Sequence, residues 1–140
     1  MSTTTYLSNP NVTINSVVLQ DQCTSAVVNY VYEQLETTAF GDTARKFGGS
    51  AVTSLQNNSI EVTLYQSYAA SETEATIFGL TGIVTTIIVA PASGSVSSTN
   101  PFYTLVGAYL ESHTPINASL GELSTITLTF SGGVLTKTTS

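Results

Sequence analysis

The residues able to do chemistry in this chain are few and poorly arranged for it. His113 is the only histidine in the sequence. Its neighbours Ser112 and Thr114 alternate faces with it, and no Gly-x-Ser-x-Gly turn presents a nucleophile. We therefore interpret His113 as a turn residue beside Pro115 rather than as a general base. On these residues the sequence predicts that the chain is not an enzyme.

The other reactive groups follow no pattern of a known site. Cys23 is the lone cysteine, which excludes an intramolecular disulfide and a multi-cysteine zinc site, and we interpret it as a small buried hydrophobe. Among the carboxylates, Glu72 and Glu74 lie two apart in a predicted helix and so diverge, and no calcium-loop spacing occurs. Segment 41–49 lacks the Gly-Lys-Ser/Thr ending of a phosphate loop. The sequence predicts no metal and no cofactor.

The charge balance limits which partners the chain can hold. The net charge is −6, and only Arg45, Lys46 and Lys137 are positive, which disfavours a groove that grips phosphates. Arg45 and Lys46 admit two interpretations, a phosphate contact or a salt bridge to another subunit. An acidic surface can still face nucleic acid that must slide past without sticking, because like charges repel. Charged residues make up only 9% of the chain against a usual quarter, a profile that suits β-structure and assembly.

The hydrophobic pattern predicts strands along most of the chain. β-branched or alternating segments predict six strands, at residues 12–19, 25–36, 59–66, 83–89, 102–111 and 122–130. The third and sixth should turn these side chains inward: Ile60, Val62 and Leu64, then Ile126, Leu128 and Phe130. Gly107 in the fifth strand predicts a bulge or a close backbone approach. A Ser/Gly/Pro loop is predicted at residues 91–101.

One short helix is predicted between the third and fourth strands, within residues 67–82. Ser71 is the expected cap, and Gly82 is the expected stop. Ala75, Phe78 and Leu80 are expected to face inward. Together the elements predict a mainly β fold, an antiparallel β-sandwich or small barrel with one short helix on its flank and a long inter-strand loop.

The chain is predicted to be a single domain, residues 1–140, with ends that serve as contacts. Residues 1–11 are expected to form an N-terminal arm and residues 131–140 a C-terminal arm. Strand edges with few protective charges predict self-assembly. No apolar run approaches the roughly 20 residues of a membrane span, and the first ten residues lack the features of a secretory signal.

The long loop, residues 37–58, is the most unusual stretch. Its length exceeds the usual short connection, and its apolar anchors and glycines do not suit a solvated linker. We interpret it as an arm that orders against another copy of the chain. The predicted contact residues are Phe40, Gly41, Asp42, Arg45, Lys46, Phe47, Val52 and Leu55.

The order of these pieces resembles the tail tube (major tail) proteins of long-tailed bacteriophages. In that family a strand with an acidic exit leads into Thr-x-Phe-Gly-Asp-x-Ala-Lys/Arg, and residues 38–45 match this pattern as they stand. A Leu-x-Asn/Asp-x-Ser step is matched at residues 55–59, and a Gly-Asp/Glu turn is matched by Gly121 and Glu122. The resemblance covers about residues 12–133. Segment 47–54 departs from it, because the family has a shorter link there and a glycine where this chain has Ser54.

The resemblance implies a structural virion protein that assembles into stacked hexameric rings. The inner sheet would line a channel that conducts phage DNA without binding it specifically, and rings would stack through the long loop and the terminal arms. The implied partners are copies of the chain and other virion proteins, with no membrane. The implied location is the virion, assembled in the bacterial host cytoplasm. Candidates for the acidic or channel-lining face are Glu33, Glu61 and Glu111.

Two other interpretations remain open on the sequence. Phage capsid decoration proteins are also small, β-rich and acidic. An Ig-like adhesive or binding module would use the loops at residues 37–58 and 91–101 for recognition. A hydrolase is a more distant third.

Overall fold

The computed structural model describes residues 10–47 and 55–140. In this part of the chain, antiparallel strands form one hydrogen-bonded sheet. The strands are β1 (Asn11–Ile14), β2 (Val17–Val18), β3 (Cys23–Asn29), β4 (Ser59–Tyr65), β5 (Val84–Ala90), β6 (Phe102–Leu110), β7 (Thr125–Ser131) and β8 (Val134–Thr138). One short helix, α1 (Thr73–Ile77), continues into a 3-10 turn at Phe78–Leu80. The predicted mainly β fold with one short helix is confirmed.

A single bent strand makes the sheet fold over on itself. The sheet order is β2-β1-β5-β6-β7-β4-β3, and β8 also pairs with β6. Tyr109 pairs with Ser131 and Val106 with Val134 in the same register, so β7 and β8 are two halves of one strand. The bend lies at Gly132 and Gly133, both with positive φ. Because β7 pairs mainly with β4 and β8 with β6, the two parts of the sheet can share one core.

The core is built from the alternating side chains of both parts of the sheet. On β4 and β7 the inward residues are those predicted: Ile60, Val62, Leu64, Ile126, Leu128 and Phe130. They join Val12, Ile14, Ile87, Leu105 and Leu110 from the other strands in one cluster. Period-two alternation in a half-buried strand accounts for this agreement.

Gly107 produces the predicted bulge and the predicted close approach. The register between β5 and β6 shifts opposite Thr85 and Thr86, which leaves Gly107 as the extra residue, with φ of 86°. A Cβ on Gly107 would lie 3.7 Å from the Cα of Gly133. The bulge in β6 therefore lies directly against the bend between β7 and β8.

Two strand predictions need correction, and the C-terminal segment holds a strand that the sequence did not predict. Residues 12–19 are a hairpin rather than one strand, because Asn15 and Ser16 adopt φ of 51° and 67° and form a tight two-residue turn. The second strand ends at Asn29 instead of residue 36. The C-terminal segment contains β8, paired with β6, so this segment is part of the sheet; its contact with a neighbouring subunit stays a prediction. The predicted N-terminal arm lies almost wholly outside the described residues.

The helix lies where the sequence predicts it, but its cap and its buried face differ from the prediction. Ser71 is not the cap, because its φ is 63° and the helix is preceded by Glu72 without a side-chain cap. Ala75 and Phe78 are exposed, whereas Thr73, Thr76 and Ile77 are buried. Leu80 is buried as predicted. Thr73, Thr76, Ile77 and Leu80 have the i, i+3, i+4, i+7 spacing of one helical face, and the two threonines on this face are why the apolar pattern did not mark it.

Candidate inter-subunit surface

Beyond β3 and before β4 the chain leaves the sheet as a two-stranded ribbon. The Glu33 amide donates to the Leu55 carbonyl at 2.8 Å, and the Asn57 amide donates to the Val31 carbonyl at 2.7 Å. Further out, Glu36 pairs with Phe47. We call residues 30–47 and 55–58 the arm. The described part of the predicted long loop, residues 37–47 and 55–58, therefore belongs to a hairpin whose backbone groups are partly paired.

The tip of the arm is a turn that projects one aromatic side chain. The Asp42 amide donates to the Ala39 carbonyl at 3.2 Å, and Gly41 has φ of 93°. A positive φ at the third residue defines a type II turn and explains why glycine occupies that position. Asp42 closes the turn from the other side by accepting the Ala39 amide at 2.7 Å. Phe40 at the second position has a relative exposure of 110%.

Two ion pairs within the arm hold its sides together. Arg45 binds the Glu36 carboxylate with two hydrogen bonds, of 2.9 and 2.8 Å. Lys46 lies 2.8 Å from Asp42, four residues earlier. Both cations suggested for a phosphate or an inter-subunit salt bridge thus have partners in their own arm. Their contact with another subunit stays a prediction.

The ion pairs change the pKa of both carboxyl groups. The Arg45 guanidinium, and then the Thr38 hydroxyl, lower the pKa of Glu36. Lys46, and then the Ala39 amide, lower the pKa of Asp42. Because each folded-state pKa lies below its unfolded value, the ion pairs support the arm above the ordinary carboxyl range, about pH 4. This support is lost as the pH falls through the lowered pKa values.

We expect acidification to loosen the arm before it unfolds the sheet. In an NMR titration, the Thr38 and Lys46 amide signals should move toward disordered positions below about pH 4, while core signals remain unchanged. Glu36→Gln provides the control, since it removes the Glu36 titration and leaves the one at Asp42. Carboxyl carbons of Glu36 and Asp42 that titrate at or above ordinary values would contradict the ion-pair account.

The arm exposes a series of apolar side chains that nothing in the described chain covers. They are Tyr30, Val31, Tyr32, Leu35, Phe40, Phe47 and Leu55. The Arg45 guanidinium lies 5.9 Å from the centre of the Phe47 ring. Val52 lies outside the described residues. Large aromatic and aliphatic groups gathered on a projecting hairpin are typical of a protein-binding surface.

A second exposed apolar element contains the Gly121–Glu122 turn, whose apolar neighbours the sequence analysis did not single out. It is the loop at residues 112–124, which exposes Ile116, Leu120 and Leu123. The Glu122 amide donates to the Ser119 carbonyl at 3.1 Å and Gly121 has φ of 82°, so this is again a type II turn. Leu120 at its tip has a relative exposure of 104%. The signal available in the sequence was the Leu-Gly-Glu triplet, which repeats the apolar-Gly-acid order of Phe-Gly-Asp.

The same loop is firmly anchored to the domain. The Pro115 carbonyl accepts the Gln66 amide group at 2.6 Å and the Tyr68 hydroxyl at 2.7 Å. His113 is in this loop beside Pro115, with Nε2 2.9 Å from Glu74 Oε1. Its side chain is only 2% exposed, so the ring supports the loop from inside and does not face solvent.

The outer face of β3, β4 and β7 is rich in hydroxyl groups and carries a single carboxylate. Its outward side chains include Ser25, Asn29, Ser59, Thr63, Thr125, Thr127, Thr129 and Ser131. Glu61 lies in the middle of this face, paired with Val27 on one side and Thr129 on the other. Glu33 is an exposed residue of the arm, and Glu111 is exposed just after β6. Which of these carboxylates faces a channel stays a prediction.

The remaining candidate groups are dispersed. Within residues 10–47 and 55–140, no group of three or more His, Cys, Asp or Glu side chains could hold a metal ion. Burial is the main cause of the raised pKa of the Cys23 thiol. In the same part of the chain, no helix is long and apolar enough to cross a membrane.

Fold and surface together define a small β-domain with a projecting hairpin arm and exposed apolar turns, a design suited to contacts with other proteins. No family model matches the chain, and no curated protein matches it in sequence. The fold, however, is shared with solved structures. A chain of the anti-feeding prophage cap, the tube-terminating cap, superposes with a TM-score of 0.69 at 12% identity, covering 100% of this chain and 94% of that one.

Two further structures have the same fold. A chain of the PVC sheath–tube complex, an extracellular contractile injection system in its extended state, gives a TM-score of 0.67 at 12% identity and covers 100% and 95% of the two chains. A chain of the gene transfer agent virion gives 0.64 at 13% identity and covers 96% and 99%. These matches extend over nearly the whole chain. They confirm, at the level of the fold, the resemblance found in the sequence.

Proposed function

We propose that the chain is a structural, non-enzymatic subunit of a phage-like tail tube, which assembles with copies of itself into stacked hexameric rings. The observation that carries the proposal is the exposed arm. It belongs to a domain whose fold matches nearly the whole length of a chain from a tube-terminating cap and of one from a sheath–tube complex. An aromatic side chain as exposed as Phe40 is explained by a partner subunit. Hexameric symmetry comes from the resemblance of residues 38–45 to the tail tube family.

The outer face of β3, β4 and β7 is the proposed lining of the channel. It carries hydroxyl groups with one central carboxylate, Glu61, and no described cation. DNA phosphates would therefore meet a surface that repels them weakly and offers no ion pair. In this role DNA passes through the channel without specific binding, and the particle assembles in the bacterial cytoplasm together with other virion proteins.

Negative-stain electron microscopy of the purified chain tests this function. We expect hexameric rings at low concentration and stacked tubes at high concentration. Trimers, as expected of a capsid decoration protein, or monomers, as expected of an adhesive module, would contradict the proposal.

A tube-terminating cap is a second candidate, because the anti-feeding prophage cap shares the fold over the whole chain. A cap must stop growth, so its rings would not stack end to end. Tubes of many rings from this chain alone would exclude the cap role, whereas rings that never stack would favour it.

A further inference from the structure

A crevice of about 420 Å³ lies at the open side of the folded sheet. It is lined by Val28, Tyr30, Tyr103, Leu135, Thr136 and Lys137. We call it the β3–β8 crevice. Its floor is largely apolar, with Val28 and Tyr103 packed against the core cluster. A surface of this kind can receive an apolar side chain from another molecule.

Lys137 gives the crevice an unmatched positive charge. The other two cations of the chain, Arg45 and Lys46, are both paired within the arm. Lys137 has no ion-pair partner among the described residues. In a chain of net charge −6, a free cation beside an apolar crevice favours an acidic, apolar partner.

The turn at the tip of the 112–124 loop has the complementary features. Leu120 is fully exposed, and Glu122 follows two residues later without an ion-pair partner in the described part of the chain. The turn at Phe40 differs, because its acid, Asp42, is already paired with Lys46. The anchoring of the loop through Pro115 and His113 means that little ordering entropy is lost on docking.

The turn and the crevice lie at opposite ends of the domain. The loop follows Leu110, the last residue of β6, whereas the crevice is lined by Tyr103 near the start of that strand. Seven residues of strand separate these positions by roughly 23 Å. One molecule cannot bring its own turn to its own crevice over this distance. A contact between them joins copies head to tail, and such contacts build rings or filaments rather than closed pairs.

We propose that Leu120 of one copy inserts into the β3–β8 crevice of the next, with Glu122 paired to Lys137 across the contact. This inference rests on the proposed self-assembly and identifies a contact to which the arm contributes only Tyr30, at its base. The occupant of the crevice is a second copy of this chain. The contact is heterologous, so each subunit inserts its Leu120 turn into one neighbour and accepts the turn of another neighbour in its own crevice.

A charge exchange tests the pairing. Glu122→Lys and Lys137→Glu each bring like charges together, and each should raise the concentration needed for half-assembly about tenfold in sedimentation velocity. The double variant restores opposite charges in the reversed order and should assemble at a concentration close to that of the wild type. Asp21→Lys serves as the control and should leave the assembly concentration unchanged, since it changes net charge as Glu122→Lys does at an exposed position outside the arm, the turn, the crevice and the proposed channel lining.

The outcomes separate this inference from the proposed function. Single variants that assemble like the wild type, or a double variant no better than the singles, would overturn the Glu122–Lys137 contact while leaving the tube role standing. A wild-type chain that stays monomeric at high concentration would overturn both.

A cysteine pair tests the direction of the contact. In a Cys23→Ser background, Leu120→Cys combined with Thr136→Cys should give, on mild oxidation, a ladder of covalent oligomers longer than dimers. Each single cysteine should give no ladder. Dimers alone from the double variant would mean a two-fold contact and would overturn the head-to-tail arrangement.

Discussion

Replacing Gly133 by alanine should destabilise the folded domain by about 3 kcal/mol, combining strain from positive φ with a backbone clash. Gly133 has φ of +86°, and a Cβ there would overlap the Val106 carbonyl oxygen and lie 3.0 Å from the Gly107 carbonyl carbon. Neither atom belongs to a flexible side chain that could turn away. The bend between β7 and β8 would have to open, which would separate the two parts of the sheet. Urea unfolding followed by circular dichroism measures the change.

Gly132→Ala is a matched control for this substitution. Gly132 also has positive φ, +81°, but a Cβ there would meet nothing within 4 Å. It should cost only about 1 kcal/mol, the strain of a left-handed backbone for a residue with a side chain. Equal losses of unfolding free energy for the two variants would show that the close approach to Val106 and Gly107 is not what requires glycine at position 133.

Phe40→Ser should leave the domain folded and weaken assembly strongly. Phe40 makes no contribution to the core, so the unfolding free energy should remain within about 0.5 kcal/mol of the wild type. A central aromatic anchor at an interface is worth about 2 to 4 kcal/mol, which corresponds to an increase of roughly 30- to 1,000-fold in the assembly concentration. Sedimentation velocity at several protein concentrations gives this quantity directly.

The control for Phe40 is an exposed apolar residue outside the arm and the 112–124 loop. Val84 lies at the start of β5 and is 63% exposed. Val84→Ser removes an apolar side chain from a surface that we do not assign to a contact, and it should leave the assembly concentration unchanged. Equal effects of the two substitutions would indicate a general loss of surface apolarity rather than docking by the arm tip.

The parts of the fold predicted from sequence are those in which one local rule dominates. β4 and β7 alternate apolar and polar residues without interruption, so the buried face of both was predicted correctly, although β7 begins at Thr125 and not at residue 122. Gly107 interrupts a β-branched and aromatic run, and only a bulge or a close approach explains a glycine there. The Phe-Gly-Asp segment marked the arm because a type II turn needs glycine at its third position.

The parts that were missed depend on contacts between residues distant in sequence, or on a turn whose residues are flanked by a strong strand pattern. Asn15 and Ser16 form a tight turn, but the β-branched residues on both sides made residues 12–19 look like one strand. β8 pairs with β6 only because Gly132 and Gly133 turn the chain against Gly107, a contact that composition does not reveal. In the arm, pairing of Glu36 with Arg45 depends on a fold-back of the hairpin. The exposed apolar residues of the 112–124 loop were missed because they are irregularly spaced, although the turn at Gly121 and Glu122 was recognised.

Cryo-electron microscopy of assembled particles of the full-length chain tests the central claim most directly. We predict tubes of stacked six-subunit rings, with Phe40 at the arm tip buried against a neighbouring subunit and the hydroxyl-rich face around Glu61 lining the channel. Particles in which the arm projects freely into solvent, or in which Glu61 faces outward, would contradict this account.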